Sequence, residues 1–324
     1  MKILFIASSS FDYSQDIVFS GLVKLLGSRA ITHWRLNINF ILPLKRYPKN
    51  MGLHGEGWRT MSMYFPDPKK YDAIIVGSCK PDTFNTYLSL IEKIPVNVPV
   101  IFIDGGDRED VGGDFDRLGQ SELFIKAQEK RMFNWIFKRE YLIRKQYDAN
   151  VKPLPFGFNL SRILDLPIQK KYDVAFWASR SDPIRTEVLR KIEGKFDCAQ
   201  NGSTDINLDL KFRRRGDFYL QELAACKISL NFRGAGWDTL RYWEIAAVGG
   251  FMISQRPAIE IPNNFEHNKH VIFCEPDLSN LIELCDYYLK NEKERERMAL
   301  AAKQHVHAFH TDVERAKTVL SVLR

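Results

Sequence analysis

Arginines and small polar residues cluster in two segments of the second half of the chain, in an order typical of anion-binding loops. The segments are Ser179–Arg185 (SRSDPIR) and Arg233–Glu244 (RGAGWDTLRYWE). Each follows a short apolar run and leads into a helical pattern. Backbone N–H groups at a helix N-terminus carry partial positive charge, and guanidinium groups bind phosphate through paired donors. The pattern therefore predicts a diphosphate site.

The residues that would bind such a ligand are of three kinds. Arginines would neutralise phosphate charge, donors at the start of the second helix would bind phosphate oxygens, and Glu244 would accept hydrogen bonds from ribose hydroxyls. A buried carboxylate needs a partner, which favours the last role. The alternatives are a capped helix with surface arginines and an Arg241–Glu244 pair along the helix surface. The predicted set is Ser179, Arg180, Arg185, Arg233, Thr239, Leu240, Arg241 and Glu244.

A second group of polar residues lies in the first half of the chain. The run Asp104–Asp110 (DGGDRED) follows a predicted strand, and His54 lies in a glycine-containing segment. A carboxylate or imidazole within hydrogen-bond reach of an acceptor hydroxyl would act as general base. The predicted catalytic residues are therefore Asp104, Asp107 and His54. The alternatives are a purely structural acidic turn and a loop histidine with no catalytic role.

Short apolar strands alternate with amphipathic helices in both halves, which indicates βαβ units with parallel sheets. We predict an α/β fold with two Rossmann-like domains facing across a cleft. The expected ranges are 1–155 for an acceptor domain, 170–309 for a donor domain, and 310–324 for a terminal helix that crosses back to the first domain. A long amphipathic helix or helix pair is expected over Leu123–Gln146, and a proline-rich linker over Lys152–Phe158.

The bulk composition is that of an ordinary soluble protein, and it leaves the partner open. The chain has 324 residues, 45% of them hydrophobic, and a net charge of +7. The apolar runs are too short to span a bilayer, so we expect a cytoplasmic protein. Excess positive charge favours anionic partners. Two basic patches, Lys126–Lys145 and Lys211–Arg215, would contact a lipid head group, a nucleic acid or solvent alone.

Residues 228–315 resemble the C-terminal donor domain of two-Rossmann (GT-B) glycosyltransferases, in particular the CgeB-like or group 1 branch. The resemblance implies a donor diphosphate neutralised by Arg180 and Arg185 without a metal. That family brackets the loop with two acids, of which Glu244 matches the second. Gly236 occupies the first position, with Asp238 close by. The matching segments are Leu230-Asn231, Arg241-x-x-Glu244, Ala247-x-Gly249-Gly250-Phe251, Glu294–His305, Phe137–Tyr141 and Pro153–Leu160.

Residues and resemblance together predict a metal-independent glycosyltransferase. It would move a sugar from a nucleoside-diphosphate sugar, a co-substrate, to a hydroxyl of a glycan, a lipid-linked molecule, a small molecule or DNA, and no cofactor is expected. Two alternatives remain open. The missing first acid favours a protein that binds or hydrolyses nucleotide sugars without transfer, and the positive charge favours a DNA-modifying glycosyltransferase or a nucleic-acid-binding protein.

Overall fold

A computed structural model describes residues 1–34, 36–41, 56–163, 169–197, 202–204 and 216–323 of the chain. The chain forms two compact units. Unit 1 contains Met1–Asn159, Ile259–Pro262 and Thr311–Arg324, and unit 2 contains Leu160–Ala258 and Asn263–His310. The C-terminal segment therefore returns to the first unit, as the sequence predicts.

Unit 1 is built on a six-stranded parallel sheet with the strand order β2-β1-β3-β4-β5-β6. Its central strands are continuous apolar runs buried along their whole length, as parallel strands covered by helices on both faces must be. The order reverses between β1 and β3. The strands are β1 (Ile3–Ile6), β2 (Ile31–Trp34), β3 (Ala73–Val76), β4 (Val100–Asp104), β5 (Trp135–Lys138) and β6 (Val151–Pro153).

The helices of unit 1 follow these strands. The longest begins after Asp12, whose carboxylate accepts a hydrogen bond from the Gln15 amide at 3.1 Å and so caps the free N–H groups of the first turn. They are α1 (Tyr13–Leu26), α2 (Glu56–Thr60), α3 (Pro81–Leu90), α4 (Gly113–Arg117) and α5 (Ser121–Lys130).

Unit 2 contains a four-stranded parallel sheet of order β12-β11-β10-β7 and a parallel pair, β8-β9. The apolar run Tyr172–Ala178 divides between the two sheets. The strands are β7 (Tyr172–Ala175), β8 (Trp177–Ser179), β9 (Gly202–Thr204), β10 (Cys226–Asn231), β11 (Met252–Ser254) and β12 (Ile272–Phe273). The helices are α6 (Pro183–Ile192), α7 (Gly216–Ala224), α8 (Leu240–Ala247), α9 (Leu281–Lys290) and α10 (Glu292–Phe309).

The terminal helix α11 (Asp312–Leu320) packs on α1 at very short range. A Cβ atom added to Gly21 of α1 would lie 1.9 Å from the carbonyl oxygen of Asp312. The Asp312 carboxylate accepts a hydrogen bond from Ser20 Oγ at 2.6 Å and pairs with Lys24 Nζ at 2.7 Å. Glycine therefore lets the last helix complete the core of unit 1.

The predicted helix over Leu123–Gln146 is wrong beyond its first third. Helix α5 ends at Lys130, and β5 follows as the fifth strand of the sheet. A lysine at position 138 suggests the solvent-facing side of a helix, but Lys138 is fully buried. Its ammonium lies 3.1 Å from the carboxylate of Asp104, the register neighbour on β4.

The predicted linker over Lys152–Phe158 is also wrong. Its start belongs to β6, the edge strand of the sheet, where proline is tolerated because no ladder N–H is needed on the open side. Leu154, Phe156 and Phe158 are then buried. No helix in the described part of the chain combines the length and apolar character needed to cross a bilayer.

Candidate functional site

Arg185 joins the two arginine-containing loops of unit 2. It lies in the first turn of α6 and is only 6% exposed. Its Nε donates to the carbonyl of Arg233 at 2.7 Å and its Nη2 to that of Phe232 at 3.1 Å. Its Nη1 donates to the Ser179 carbonyl at 3.1 Å and to Ser181 Oγ at 3.0 Å. The guanidinium thus binds the loop after β8 to the loop after β10.

The surroundings of Arg185 leave its charge uncompensated. Burial and the nearby Arg241 lower its pKa to about 9, and Asp182 offsets this only in part. A Cβ atom on Gly234 would lie 2.9 Å from Arg185 Nη2, so a side chain at this position would require the guanidinium to shift. A buried cation bonded to neutral acceptors favours an anion nearby.

Arg241, on α8, has a buried donor without an acceptor among the described residues. Its Nη2 donates to the carbonyl of Trp177, and its guanidinium carbon lies 5.4 Å from the ring centroid of Phe176. Its Nε is buried and has no hydrogen-bond partner among the described residues. Neither an ion pair nor a hydrogen bond joins Arg241 to Glu244 in this part of the chain. The alternative of a surface Arg241–Glu244 pair is therefore wrong.

Glu244 lies one turn further along α8 and is 3% exposed. Within the described ranges, its Oε1 has no hydrogen-bond partner. Burial raises the pKa of its carboxyl group to about 8. Arg241 and Glu244 thus present a buried donor and a buried acceptor, three residues apart on one helix, that no described protein group satisfies. Such atoms call for a ligand or water.

The N-terminus of α8 is also without a side-chain cap. Thr239, the N-cap residue, donates its hydroxyl to Asn231 Oδ1 at 2.6 Å. Helix α6 differs, because the Asp182 carboxylate accepts a hydrogen bond from the Ile184 amide at 3.0 Å. The first amides of α8, beginning at Leu240, are the better anion donors of the two helix starts.

Arg233 and Arg180 complete the group of arginines. Arg233 lies 3.2 Å from the Asp182 carboxylate and stacks on Trp237 at 4.3 Å. Arg180 is exposed and lines an open groove together with Pro183 and its neighbours at the start of α6. Both side chains reach the surface beside the two loops.

Two of the predicted contacts need correction. We predicted that Arg185 and Thr239 bind phosphate directly, but their donors are directed to carbonyl oxygens and to Asn231. Both residues hold the loops in place instead. Asn231 also connects Thr239 to β11, because its Nδ2 donates a hydrogen bond to Ser254 Oγ at 3.0 Å. In the sequence, Asn231 belongs only to the segments that resemble the family. A polar residue at the end of an otherwise apolar strand was the signal for this role.

Asp238 has a packing role in this loop. Its carboxylate accepts a hydrogen bond from the indole Nε1 of Trp243 at 2.9 Å, and it is 5% exposed. Trp243 is fully buried and lies 4.5 Å from the ring of His310. Asp238 therefore fixes the large aromatic residue that precedes Glu244.

Comparison with known proteins assigns these loops to a chemical class. Residues 184–321 match a family model described as glycosyl transferase-like. These residues are similar to a glycosyltransferase domain. This match confirms the predicted enzyme class, while the CgeB-like branch stays a prediction. No reviewed protein sequence matches the chain significantly.

Solved structures extend the likeness to the whole chain. HepE of Anabaena in complex with UDP-glucose aligns with a TM-score of 0.60 at 9% identity, over 100% of this chain and 99% of that one. An alpha-glucosyltransferase in complex with UDP aligns at 0.57 and 9%, with the same coverage. Sucrose-phosphate synthase from Thermosynechococcus elongatus aligns at 0.54 and 12%, over 99% and 98%. These similarities show a GT-B fold, as predicted.

Unit 1 contradicts one predicted catalytic residue of the glycosyltransferase. Asp104 is fully buried and paired with Lys138. It also accepts a hydrogen bond from the amide of Gly112 at 2.9 Å. Its carboxylate therefore holds the turn after β4 and is not available as a base for a substrate hydroxyl.

Asp107 is more accessible but already paired. Its side chain is 35% exposed and lies against the guanidinium of Arg139. Burial raises the pKa of Asp107, but Arg139 more than offsets this, so the net pKa is lowered. A lower pKa makes the carboxylate a weaker base. His54 and the basic run Lys211–Arg215 lie outside the described residues.

The loops after β1 and β3 form a further polar cluster in unit 1. The strand order of unit 1 reverses between these strands, and open parallel sheets bind ligands at such a point. Asp12 accepts a hydrogen bond from Ser78 Oγ at 2.6 Å, and Asp82 accepts from Ser8 Oγ at 2.8 Å. Ser8, Ser9 and Ser10 follow β1 and were a signal in the sequence, because small residues let a ligand approach closely.

Proposed function

We propose that this glycosyltransferase takes its sugar from a nucleoside-diphosphate donor bound by the loops of unit 2. The observation that carries the proposal is the unsatisfied pair on α8, Arg241 Nε and Glu244 Oε1. A ribose diphosphate offers a partner to each atom. Its hydroxyls donate hydrogen bonds to a carboxylate, and its phosphates accept hydrogen bonds from a guanidinium. UDP is the nucleotide to test first, because HepE and the alpha-glucosyltransferase are described in complex with it.

In this proposal the diphosphate lies at the start of α8. The uncapped amides from Leu240 onward, Arg241 and the exposed Arg180 would stabilise the charge that develops on the leaving phosphate. Arg185 would act through its charge and by holding both loops, without donating to the ligand. Fixed cations and amides meet the electrostatic need that a divalent metal meets elsewhere, which supports metal-independent transfer.

We place the acceptor on unit 1, at the reversal point between β1 and β3. The polar side chains there, Asp12, Ser78 and Asp82, suit a hydroxyl-bearing molecule. Asp107 stays the predicted general base, although its paired state weakens it. DNA is a second candidate acceptor, because the alpha-glucosyltransferase is described with UDP-glucose and DNA at a TM-score of 0.54 and 10% identity.

The experiment is to incubate the enzyme with radiolabelled UDP-sugars and separate panels of glycan, lipid-linked, small-molecule and duplex DNA acceptors, with and without EDTA. The proposal expects a glycosylated product in one panel and equal yield with the chelator. Release of free sugar without any product would favour a hydrolase. A requirement for added metal would contradict the metal-independent mechanism.

A further inference from the structure

Unit 1 exposes a cluster of apolar side chains that the sugar-transfer site does not use. Val96 is 95% exposed, Met132 72% and Phe65 50%. Val96 and Met132 line one groove, and Val96 and Phe65 line an adjoining groove, so the three form one patch. Contiguous exposed apolar surface marks an interaction site, whereas single exposed residues do not.

The patch lies at the amino edge of the parallel sheet. Val96 precedes β4, Met132 precedes β5, and the segment after Phe65 leads into β3. Ligands of open parallel sheets bind at the opposite, carboxyl edge. A partner held by this patch would therefore leave the carboxyl edge of unit 1 free.

Arg131 makes the patch rigid. Its guanidinium donates to the carbonyls of Ile94 at 3.0 Å, Pro95 at 3.1 Å, Val96 at 3.3 Å and Val98 at 2.6 Å. The loop that presents Val96 is thus fixed by four hydrogen bonds from one side chain. A pre-ordered loop loses little conformational entropy when its apolar tip is buried by a partner.

The charges around the patch are mainly positive. The grooves are lined by four cations, Lys69, Lys93, Lys130 and Arg131, and by two carboxylates, Asp67 and Glu92. Glu92 is already paired with Lys130. Lys93 lies 4.4 Å from the ring centroid of Phe65, with its ammonium at the rim. Apolar tips surrounded by lysines suit an interface that is apolar inside and anionic outside.

We propose that this amino-edge patch (Phe65, Val96 and Met132 with Lys69 and Lys93) docks the enzyme on an anionic lipid bilayer. Val96 and Met132 enter the headgroup region, and the lysines contact lipid phosphates. The proposal does not depend on the identity of the sugar donor or acceptor.

The test is co-sedimentation of the full chain with phosphatidylcholine vesicles that contain phosphatidylglycerol, and with vesicles of phosphatidylcholine alone. We expect binding to the anionic vesicles that decreases with salt. The V96E/M132E variant should bind about tenfold more weakly, because the apolar burial is lost. Lys93→Glu should weaken binding by about fivefold or more. Leu300→Glu, at a 57% exposed position of unit 2, is the matched control and should bind normally.

Three results would overturn the proposal. The first is a wild-type protein that stays in the supernatant with anionic vesicles at low salt, and the second is a V96E/M132E variant that sediments like Leu300→Glu. The third is a wild-type dimer in analytical ultracentrifugation that V96E/M132E converts to monomer while vesicle binding is absent, which would make the patch an interface between copies. Circular dichroism confirms that each variant is folded, and Lys93→Glu tests the surface independently if V96E/M132E is not.

Discussion

At the scale of single residues, two buried acids of this chain have opposite circumstances. Asp104 is satisfied by Lys138 and by backbone amides, whereas Glu244 Oε1 has no hydrogen-bond partner within the described residues. A satisfied buried acid serves the fold, whereas an unsatisfied one is a candidate for contact with a ligand or water. A buried acid therefore indicates a structural role in unit 1 and a binding role in unit 2.

The Asp104–Lys138 pair gives a prediction on stability. Lys138→Met should lower the free energy of unfolding by about 3–5 kcal/mol, because it leaves a buried carboxylate unpaired. Lys145→Met is the matched control, since its partner Asp110 is 69% exposed and the pair should contribute at most about 1 kcal/mol. Urea unfolding followed by circular dichroism measures both. Equal losses would contradict the buried-pair account.

Glu244→Gln should make the protein more stable at alkaline pH. The folded pKa is raised from 4.5 to about 8, so the wild type loses stability as pH rises through that range. The glutamine variant carries no ionisable group there. It should therefore exceed the wild type by about 5 kcal/mol above pH 8, and match it below pH 4.5. Thermal melts across this pH range test the prediction, and a pH-independent difference would refute it.

At the scale of elements, the contact between α1 and α11 sets two effects against each other. Alanine is normally better than glycine inside a helix by about 1 kcal/mol. At Gly21 the added Cβ would meet the Asp312 carbonyl at 1.9 Å, and overpacking costs about 1–3 kcal/mol. We expect Gly21→Ala to destabilise the protein in denaturant unfolding. A stabilised variant would show that the helices do not pack this closely.

Much of the fold follows from the sequence because its strands are short apolar runs between helical patterns. The failures have a common physical cause. Lys138 and Pro153 lie in or at the end of strands, but a lysine with a buried partner and a proline on an edge strand look like surface and linker residues when neighbours are unknown. The pairing of Lys138 and the edge position of Pro153 depend on the tertiary structure, so a local sequence pattern does not contain them.

The site was predicted in part for the same reason. Residue types and spacing placed Arg241 and Glu244 near an anion-binding loop. Residue types and spacing did not reveal that Arg185 donates hydrogen bonds to carbonyls of the neighbouring loop, or that Thr239 donates to Asn231. Those contacts depend on how two distant loops approach each other, which no local pattern encodes.

At the scale of the whole molecule, the chain completes unit 1 only with its last segment. Ala316, Val319 and Leu320 belong to the same apolar cluster as Phe19 and Leu22. Removing residues 311–324 should therefore deprotect α1 and β1 in hydrogen exchange, while the core strands of unit 2 keep their protection. Uniform protection in both units after truncation would contradict this division.

The central claim is that Glu244 and the arginines of unit 2 bind a nucleoside diphosphate, and calorimetric titration with UDP tests it most directly. The account predicts measurable binding to the wild type, about tenfold or greater weakening in Glu244→Ala from the lost hydrogen bonds to the ribose, and no change in the exposed control Glu283→Ala. A Glu244→Ala variant that binds UDP as tightly as the wild type would contradict the account.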